Sequence, residues 1–381
     1  MKNRASVVII GGGVVGCSIA YNLARKGVRD IVLLEKHFLC YGSTGRCGAG
    51  VRQQWGTERN CILARESMKI FENMNEELAT RRDIELKQGG YLLLAYSEKE
   101  LELFRKNIRL QNRLDIPSKE VTPLEAKEIV PYLNTERLVG GAFCPTDGHA
   151  NPFLVTQAYA DAARRLGVEI ELYTEATGIR KKSNRIVGVE TSRGFIETEK
   201  VVNAAGGYSV LVSKMAGVEM PVYSERHQIL ATEPVEKIQG PMVMSFSYNI
   251  YCQQTPQGNF LMGYGDPEEP KGINTRSTWQ FLETMAEKVT WLLPPLWHLR
   301  VVRQWAGLYN ITPDKQPIIC EVEQLPGFYL AIGFSGHGFM IAPMVGILIS
   351  RIITGEPVGM ELKLDLERFE RGELTPEPAV V

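Results

Sequence analysis

Three glycines, Gly11, Gly13 and Gly16, stand at the spacing G-x-G-x-x-G, and an acid, Glu35, follows about 20 residues later. Each suits one task in holding a dinucleotide. Gly11 permits a tight turn, Gly13 lets a pyrophosphate approach the backbone, and Gly16 lets a helix pack on the preceding strand. Glu35 offers a carboxylate to ribose hydroxyls and would repel a 2′-phosphate. Such glycines carry weight only between the right elements. Here residues 7–10 (VVII) are an apolar run suited to a buried parallel strand. Ile19, Ala20, Leu23 and Ala24 share one helical face, and Gly27 can end that helix. Residues 31–34 form a second apolar strand that runs into Glu35. The helix N-terminus then faces the phosphates. This pattern suits NAD and FAD equally.

Two further strand-to-glycine turns lie far along the chain. Residues 200–207 (KVVNAAGG) are one. The other is Gly333-Phe-Ser-Gly-His-Gly-Phe-Met340, which follows an apolar strand at 328–332 and precedes a helix expected from about Pro343. Residues 41–52 (YGSTGRCGAGVR) form a loop whose amides and hydroxyls suit phosphate or ring contact. Periodicity predicts helices over 60–78, 98–114, 152–166 and 278–293. Thr122-Pro123-Leu124-Glu125 has the form of an N-cap followed by proline. Strands are expected at 91–95 and 168–172, with a hairpin over 185–190 and 194–198. Alternating strands at 229–232, 242–246 and 260–264 predict an antiparallel sheet over the site.

The expected fold class is therefore α/β. A Rossmann-like dinucleotide domain would be assembled from residues 1–90, 141–215 and 318–365. An α+β substrate domain with a large antiparallel sheet would be inserted as residues 91–140 and 216–317. Residues 366–381 would be a C-terminal tail, frayed from Thr375.

Composition narrows the function. The chain of 381 residues has a net charge of −1, which gives no bulk electrostatic case for nucleic acid or an anionic membrane. The apolar stretch at 341–349 is far short of a membrane span. A strand starting so near Met1 leaves no room for a signal peptide. Seven scattered cysteines without C-x-x-C argue against a disulfide framework, a zinc site or a cluster, so no metal is expected and a reducing cytoplasm is the simplest compartment.

These blocks, with Trp305-Ala-Gly-Leu-Tyr-Asn-Ile-Thr-Pro-Asp314, resemble the glycine/sarcosine oxidase and D-amino-acid oxidase superfamily of FAD amine oxidoreductases. The likeness spans nearly the whole chain, and the block 333–339 is its most specific part. Residues 44–54 (TGRCGAGVRQQ) and 368–374 (RFERGEL) look most like the branch of dye-linked L-proline dehydrogenase and sarcosine oxidase β subunits. The resemblance implies FAD, hydride transfer from the carbon beside an amine to flavin N5, and a partner subunit carrying flavin or iron–sulfur groups. FMN shared with that partner is a further cofactor it allows.

The resemblance places FAD against Gly11, Gly13, Val14, Val15, Gly16, Glu35 and Lys36, then Ser43, Thr44, Arg46, Cys47 and Gly48. It adds Ala176, Ala205, Gly206, Tyr208 and Gly307, and the turn Gly333, Ser335, Gly336, His337, Gly338, Phe339 and Met340. Gly307 matches the cysteine that bonds flavin covalently in monomeric sarcosine oxidases, so non-covalent FAD is expected. Leu261 matches the lysine those enzymes place over the flavin, which favours a dehydrogenase over an oxidase. Met340 stands where they keep a carboxylate-binding lysine, so another group must hold a substrate carboxylate. Arg52 is the choice, because a guanidinium fork suits bidentate binding. Tyr251 is expected in the pocket wall, and His227 could titrate near neutrality. The implied substrate is proline, then hydroxyproline or sarcosine. The alternative is a stand-alone glycine, sarcosine or D-amino-acid oxidase releasing H2O2.

Overall fold

The computed structural model describes residues 2–359 and 362–378. Residue 1 of the expected first segment, residues 360 and 361 of the segment 318–365, and the last three residues of the tail 366–381 lie outside the described residues.

The apolar runs at the N-terminus form the centre of a six-stranded sheet, in the order Ile318–Glu321, Phe328–Ile332, Val201–Asn203, Val7–Ile10, Ile31–Leu34, Glu169–Glu171. All pairs are parallel except Ile318–Glu321 with Phe328–Ile332. Every residue of Val7–Ile10 and Ile31–Leu34 is buried, because both faces are covered. One face packs helices Val14–Arg25, Glu58–Glu77, Pro152–Arg165 and Gly338–Thr354. The other packs helix Ser209–Met215 and a three-stranded sheet, Ala176–Lys182, Arg185–Thr191 and Gly194–Glu197. A side chain at Gly16 would collide with the Gly11 carbonyl, and one at Gly346 would collide with Ser18. Helices from the two ends of the chain thus sit tightly beside one strand.

A second sheet has eight strands, in the order Val301–Ile311, Tyr223–Thr232, Phe260–Tyr264, Ile250–Gln254, Met242–Ser245, Tyr91–Ala95, Gly140–Cys144, Lys119–Val121. It is antiparallel except for Met242–Ser245 against Tyr91–Ala95. Helix Trp279–Leu292 covers one face with Phe281, Met285, Val289 and Leu292. The predicted cap at Thr122 is a full capping box with Glu125.

Two expectations are corrected, and one strand is added. The last helix begins at Gly338, so Pro343 lies inside it and gives up one backbone hydrogen bond instead of opening the helix. The strand Ala176–Lys182 carries too many charges to read as a strand in isolation; pairing with Arg185–Thr191 creates it. The tail is not frayed at Thr375: Glu377 is 2% exposed, and its amide donates to the Asp314 carbonyl at 3.0 Å.

Candidate functional site

The glycine turn at 11–13 ends the first strand. Gly11 adopts φ +120°, and its amide donates to the Leu34 carbonyl at 2.9 Å. Glu35 accepts from the Gly12 amide at 2.8 Å and the His37 amide at 2.9 Å. The Val14 amide donates to Thr44 Oγ1 at 3.2 Å. Lys36 Nζ lies 3.7 Å over the Tyr208 ring.

From this turn a long cavity runs between the two sheets. Of the expected cofactor contacts, Gly11, Gly13, Val14, Val15, Glu35, Lys36, Ser43, Thr44, Arg46, Cys47, Gly48, Ala176, Ala205, Gly206, Tyr208, Gly307, Ser335, Gly336, His337, Gly338, Phe339 and Met340 line it. Arg52, His227 and Tyr251 line it too. Gly16 and Gly333 do not. Gly16 serves helix packing, and the Gly333 amide donates to Asn310 Oδ1 at 2.8 Å, which shapes the turn behind the wall.

Two helix N-termini open on the cavity, at Gly13–Val15 and at Gly338–Met340. Their first-turn amides and dipoles favour anionic oxygens. Ser43 Oγ donates to the Leu308 carbonyl at 2.7 Å, and Arg46 Nη1 to the Ala306 carbonyl at 3.0 Å, which pins the loop to the second sheet. A Cβ at 307 would sit 3.2 Å from Arg46 Cβ. Burial pushes the Cys47 thiol up to about 11, and it donates to the Thr44 carbonyl at 3.1 Å. Gly336, at φ +92°, lets the C-terminal turn lie on Tyr309, where a Cβ would meet the ring at 2.6 Å.

The far end of the cavity is aromatic. His227 stacks on Tyr309 at 4.3 Å and 3°, and Tyr251 continues the stack at 5.8 Å and 8°. The strand between His227 and Tyr251 carries Gly263, and the Tyr251 ring occupies the space a side chain there would need. Burial pushes His227 down to about 4 and raises Tyr251 well above its ordinary value, so both rings are neutral at physiological pH. Arg52 is 3% exposed; its guanidinium lies 4.0 Å over the Trp55 ring, with Nη1 3.9 Å from Met244 Sδ. Burial lowers its pKa, while Tyr91, Asp147 and Glu377 favour the charge. Trp55 also meets the His337 ring at 4.7 Å, tilted by 55°. His337 is pushed down to about 3 by burial and by Arg52.

Sequence reasoning missed Trp55, Tyr91, Met242, Met244 and Tyr309, which line the cavity, and Asp147 behind Arg52. Asp147 accepts from the Gln53 amide at 2.8 Å and Gln54 Nε2 at 3.1 Å, and burial pushes it up to about 6. Leu261 does not line this cavity. It faces a second hollow that shares Tyr41, Arg46, Cys47 and Ala49 as a common wall.

The fit to FAD rests on these features. A glycine cradle and one helix N-terminus would meet a pyrophosphate at one end, and a second helix N-terminus would meet a ring edge at the other. Among the described residues, His227 Nε2 is buried at the cavity wall without a hydrogen-bond partner.

Residues 6–352 match the model of the FAD-dependent oxidoreductase family named for D-amino-acid oxidase (DAO). The chain belongs to this family. It is 38% identical to a crystallographic L-proline dehydrogenase from P. horikoshii, with TM-score 0.92, covering 98% of this chain and 100% of that one. It is 29% identical to the sarcosine oxidase β subunit of Arthrobacter, over 99% of this chain and 94% of that protein. Glycine oxidase from Geobacillus kaustophilus, at 24% identity, shares the fold with TM-score 0.86, covering 95% of this chain and 99% of that one. This DAO-family protein is thus an FAD-dependent amine and amino-acid oxidoreductase. Among its described residues, no helix is long and apolar enough to cross a membrane, and no group of three His, Cys, Asp or Glu is placed to hold a metal.

Proposed function

We propose that the chain is the catalytic β-type subunit of a heteromeric dye-linked dehydrogenase in the cytoplasm, acting on a secondary amino acid. L-proline is the first substrate, with hydroxyproline or sarcosine next. One observation carries the reading: Arg52, a cation in an apolar chamber, shares it with Trp55, Tyr251, His227, Tyr309 and two methionines. Arg52 would take the substrate carboxylate on its fork. The aromatic stack and Met242 and Met244 would hold an apolar ring or N-methyl group and exclude water. Bound FAD supplies a two-electron acceptor for the hydride leaving the carbon beside the amine. The amine must arrive neutral, and His227, held neutral by burial, adds no charge to compete with it. The amides of Gly338–Met340 would stabilise negative charge at the ring edge. Glu35 and the Gly13–Val15 turn would anchor the adenosine and pyrophosphate, without a covalent bond to the flavin.

The second hollow offers a seat for a partner subunit. It abuts the cofactor cavity across Arg46 and Cys47, and its rim carries Phe38, 49% exposed, and Phe153, 52% exposed. Large exposed aromatics beside a hollow suit a protein contact. A partner subunit seated there would bring its flavin, FMN included, or iron–sulfur group within reach of the first flavin.

Dye reduction by the purified protein with L-proline, hydroxyproline, sarcosine, glycine and D-amino acids tests the substrate claim. Turnover with L-proline well above the others is expected. Turnover with glycine or a D-amino acid alone, coupled to H2O2, would support the stand-alone oxidase instead.

A further inference from the structure

The segment that carries Arg52 and Trp55 has no strand or helix of its own between Val51 and Glu58. Something else must hold it, because the guanidinium stays seated on the indole only if this backbone is fixed. Trp55 Nε1 donates to the Arg52 carbonyl at 3.0 Å, and Gln111 Nε2 donates to the Trp55 carbonyl at 2.8 Å. The next two residues are held from the far end of the chain. Glu377 Oε1 accepts from the Gly56 amide at 2.9 Å. Its Oε2 accepts from the Thr57 amide at 3.2 Å, Thr57 Oγ1 at 2.7 Å and Asn60 Nδ2 at 2.9 Å.

This carboxylate sits at the start of helix Glu58–Glu77, on the two amides that precede it and on the Asn60 side chain. Thr57 occupies the N-cap position of helix Glu58–Glu77, yet its hydroxyl makes no capping bond and is spent on Glu377. A negative charge at that helix start is favourable. The tail itself is locked. The Arg368–Asp314 pair is buried, with bonds of 2.9 and 3.0 Å, and Gln316 Nε2 reaches both Thr57 Oγ1 at 3.1 Å and the Thr375 carbonyl at 3.2 Å. Pro378 lies so close to Gly56 that a Cβ there would meet its ring at 2.6 Å. The tail therefore forms a clamp with fitted faces on both sides.

We propose that Glu377 is a positioning residue: the C-terminal clamp sets the Arg52–Trp55 segment and so tunes affinity for the substrate carboxylate. The affinity part rests on the assignment of Arg52 to that carboxylate. The clamp part stands on the hydrogen bonds alone.

Hydrogen exchange and anaerobic flavin reduction on the purified FAD-bound protein separate the two. In Glu377→Ala, amides of residues 52–57 should exchange faster while the sheets keep their protection. The L-proline concentration for half-maximal reduction should rise about tenfold, with the limiting rate and FAD content within about twofold. Glu377→Gln, which keeps an acceptor oxygen, should recover part of the loss. Gly56→Ala, which pushes Pro378 off from the other side, should mimic Glu377→Ala, and the double variant should be little worse than either single. Unchanged exchange at 52–57 would overturn the clamp whatever the substrate proves to be. Faster exchange throughout the chain with loss of FAD would overturn it as well, since that marks general destabilisation. Faster local exchange with unchanged substrate affinity would overturn the positioning role.

Discussion

Arg52 sits on Trp55 where water does not reach, so its charge is costly unless a counter-charge arrives. Asp147 and Glu377 supply part of that from behind, and a substrate carboxylate would supply the rest in front. Arg52→Ala should therefore raise the substrate concentration for half-maximal flavin reduction about 100-fold, as expected for losing a bidentate charged contact. Arg52→Lys should recover only part, because an ammonium lacks the fork. Equal affinity in Arg52→Ala would remove this residue from substrate binding. The sequence marked Arg52 because a guanidinium fork suits a carboxylate and Met340 leaves that carboxylate without its lysine. It could not mark Trp55 or Tyr309. Their importance comes from a ring contact at 4.0 Å and a cross-strand stack at 4.3 Å, and neither leaves a trace in composition.

At the scale of elements, glycine is the most legible signal, because close backbone approach leaves no other residue possible. The turn at 333–338 is the best example. Gly336→Ala would place a methyl on the Tyr309 ring in a backbone conformation, φ +92°, that alanine resists. The FAD dissociation constant should rise at least about tenfold in that variant, measured by fluorescence titration of the apoprotein. Unaltered FAD affinity would show that this turn does not shape the cofactor site. Gly307 lies beside Arg46, and the nearby Cys47 thiol stays protonated, so trichloroacetic acid should release all the yellow flavin into the supernatant. Flavin retained in the pellet would contradict non-covalent binding. Strands such as Ala176–Lys182 stayed hidden because their charged side chains face out and only the hairpin partner fixes them. The tail was misread for a similar reason. Two prolines near the terminus read as loose chain, while Glu377 bonds to Gly56, 321 residues away in sequence.

Across the whole molecule, burial sets how stability depends on pH. His149 and His227 are pushed down to about 4 and His337 to about 3, from an ordinary value of 6.5. The unfolded chain therefore takes up these protons first as pH falls below 6.5, and stability is lost. Each histidine contributes a loss of about 2 kcal/mol between pH 6.5 and 5. Asp147, raised from 3.8 to about 6, acts in the opposite direction below pH 6, because the folded state binds its proton first. Three histidines against one aspartate leave a net loss, so the melting temperature should drop between pH 7 and 5. His227→Asn should flatten that slope. A melting temperature independent of pH in this window would contradict the burial of these imidazoles.

Two sheets, two helix N-termini and one buried arginine converge on one cavity, in which a secondary amino acid would reduce a flavin. Anaerobic mixing of the purified yellow protein with L-proline tests it most directly. Loss of absorbance near ~450 nm, saturating with proline concentration and persisting until a dye is added, is the predicted result. Absorbance that stays unchanged with proline, hydroxyproline and sarcosine alike would contradict it.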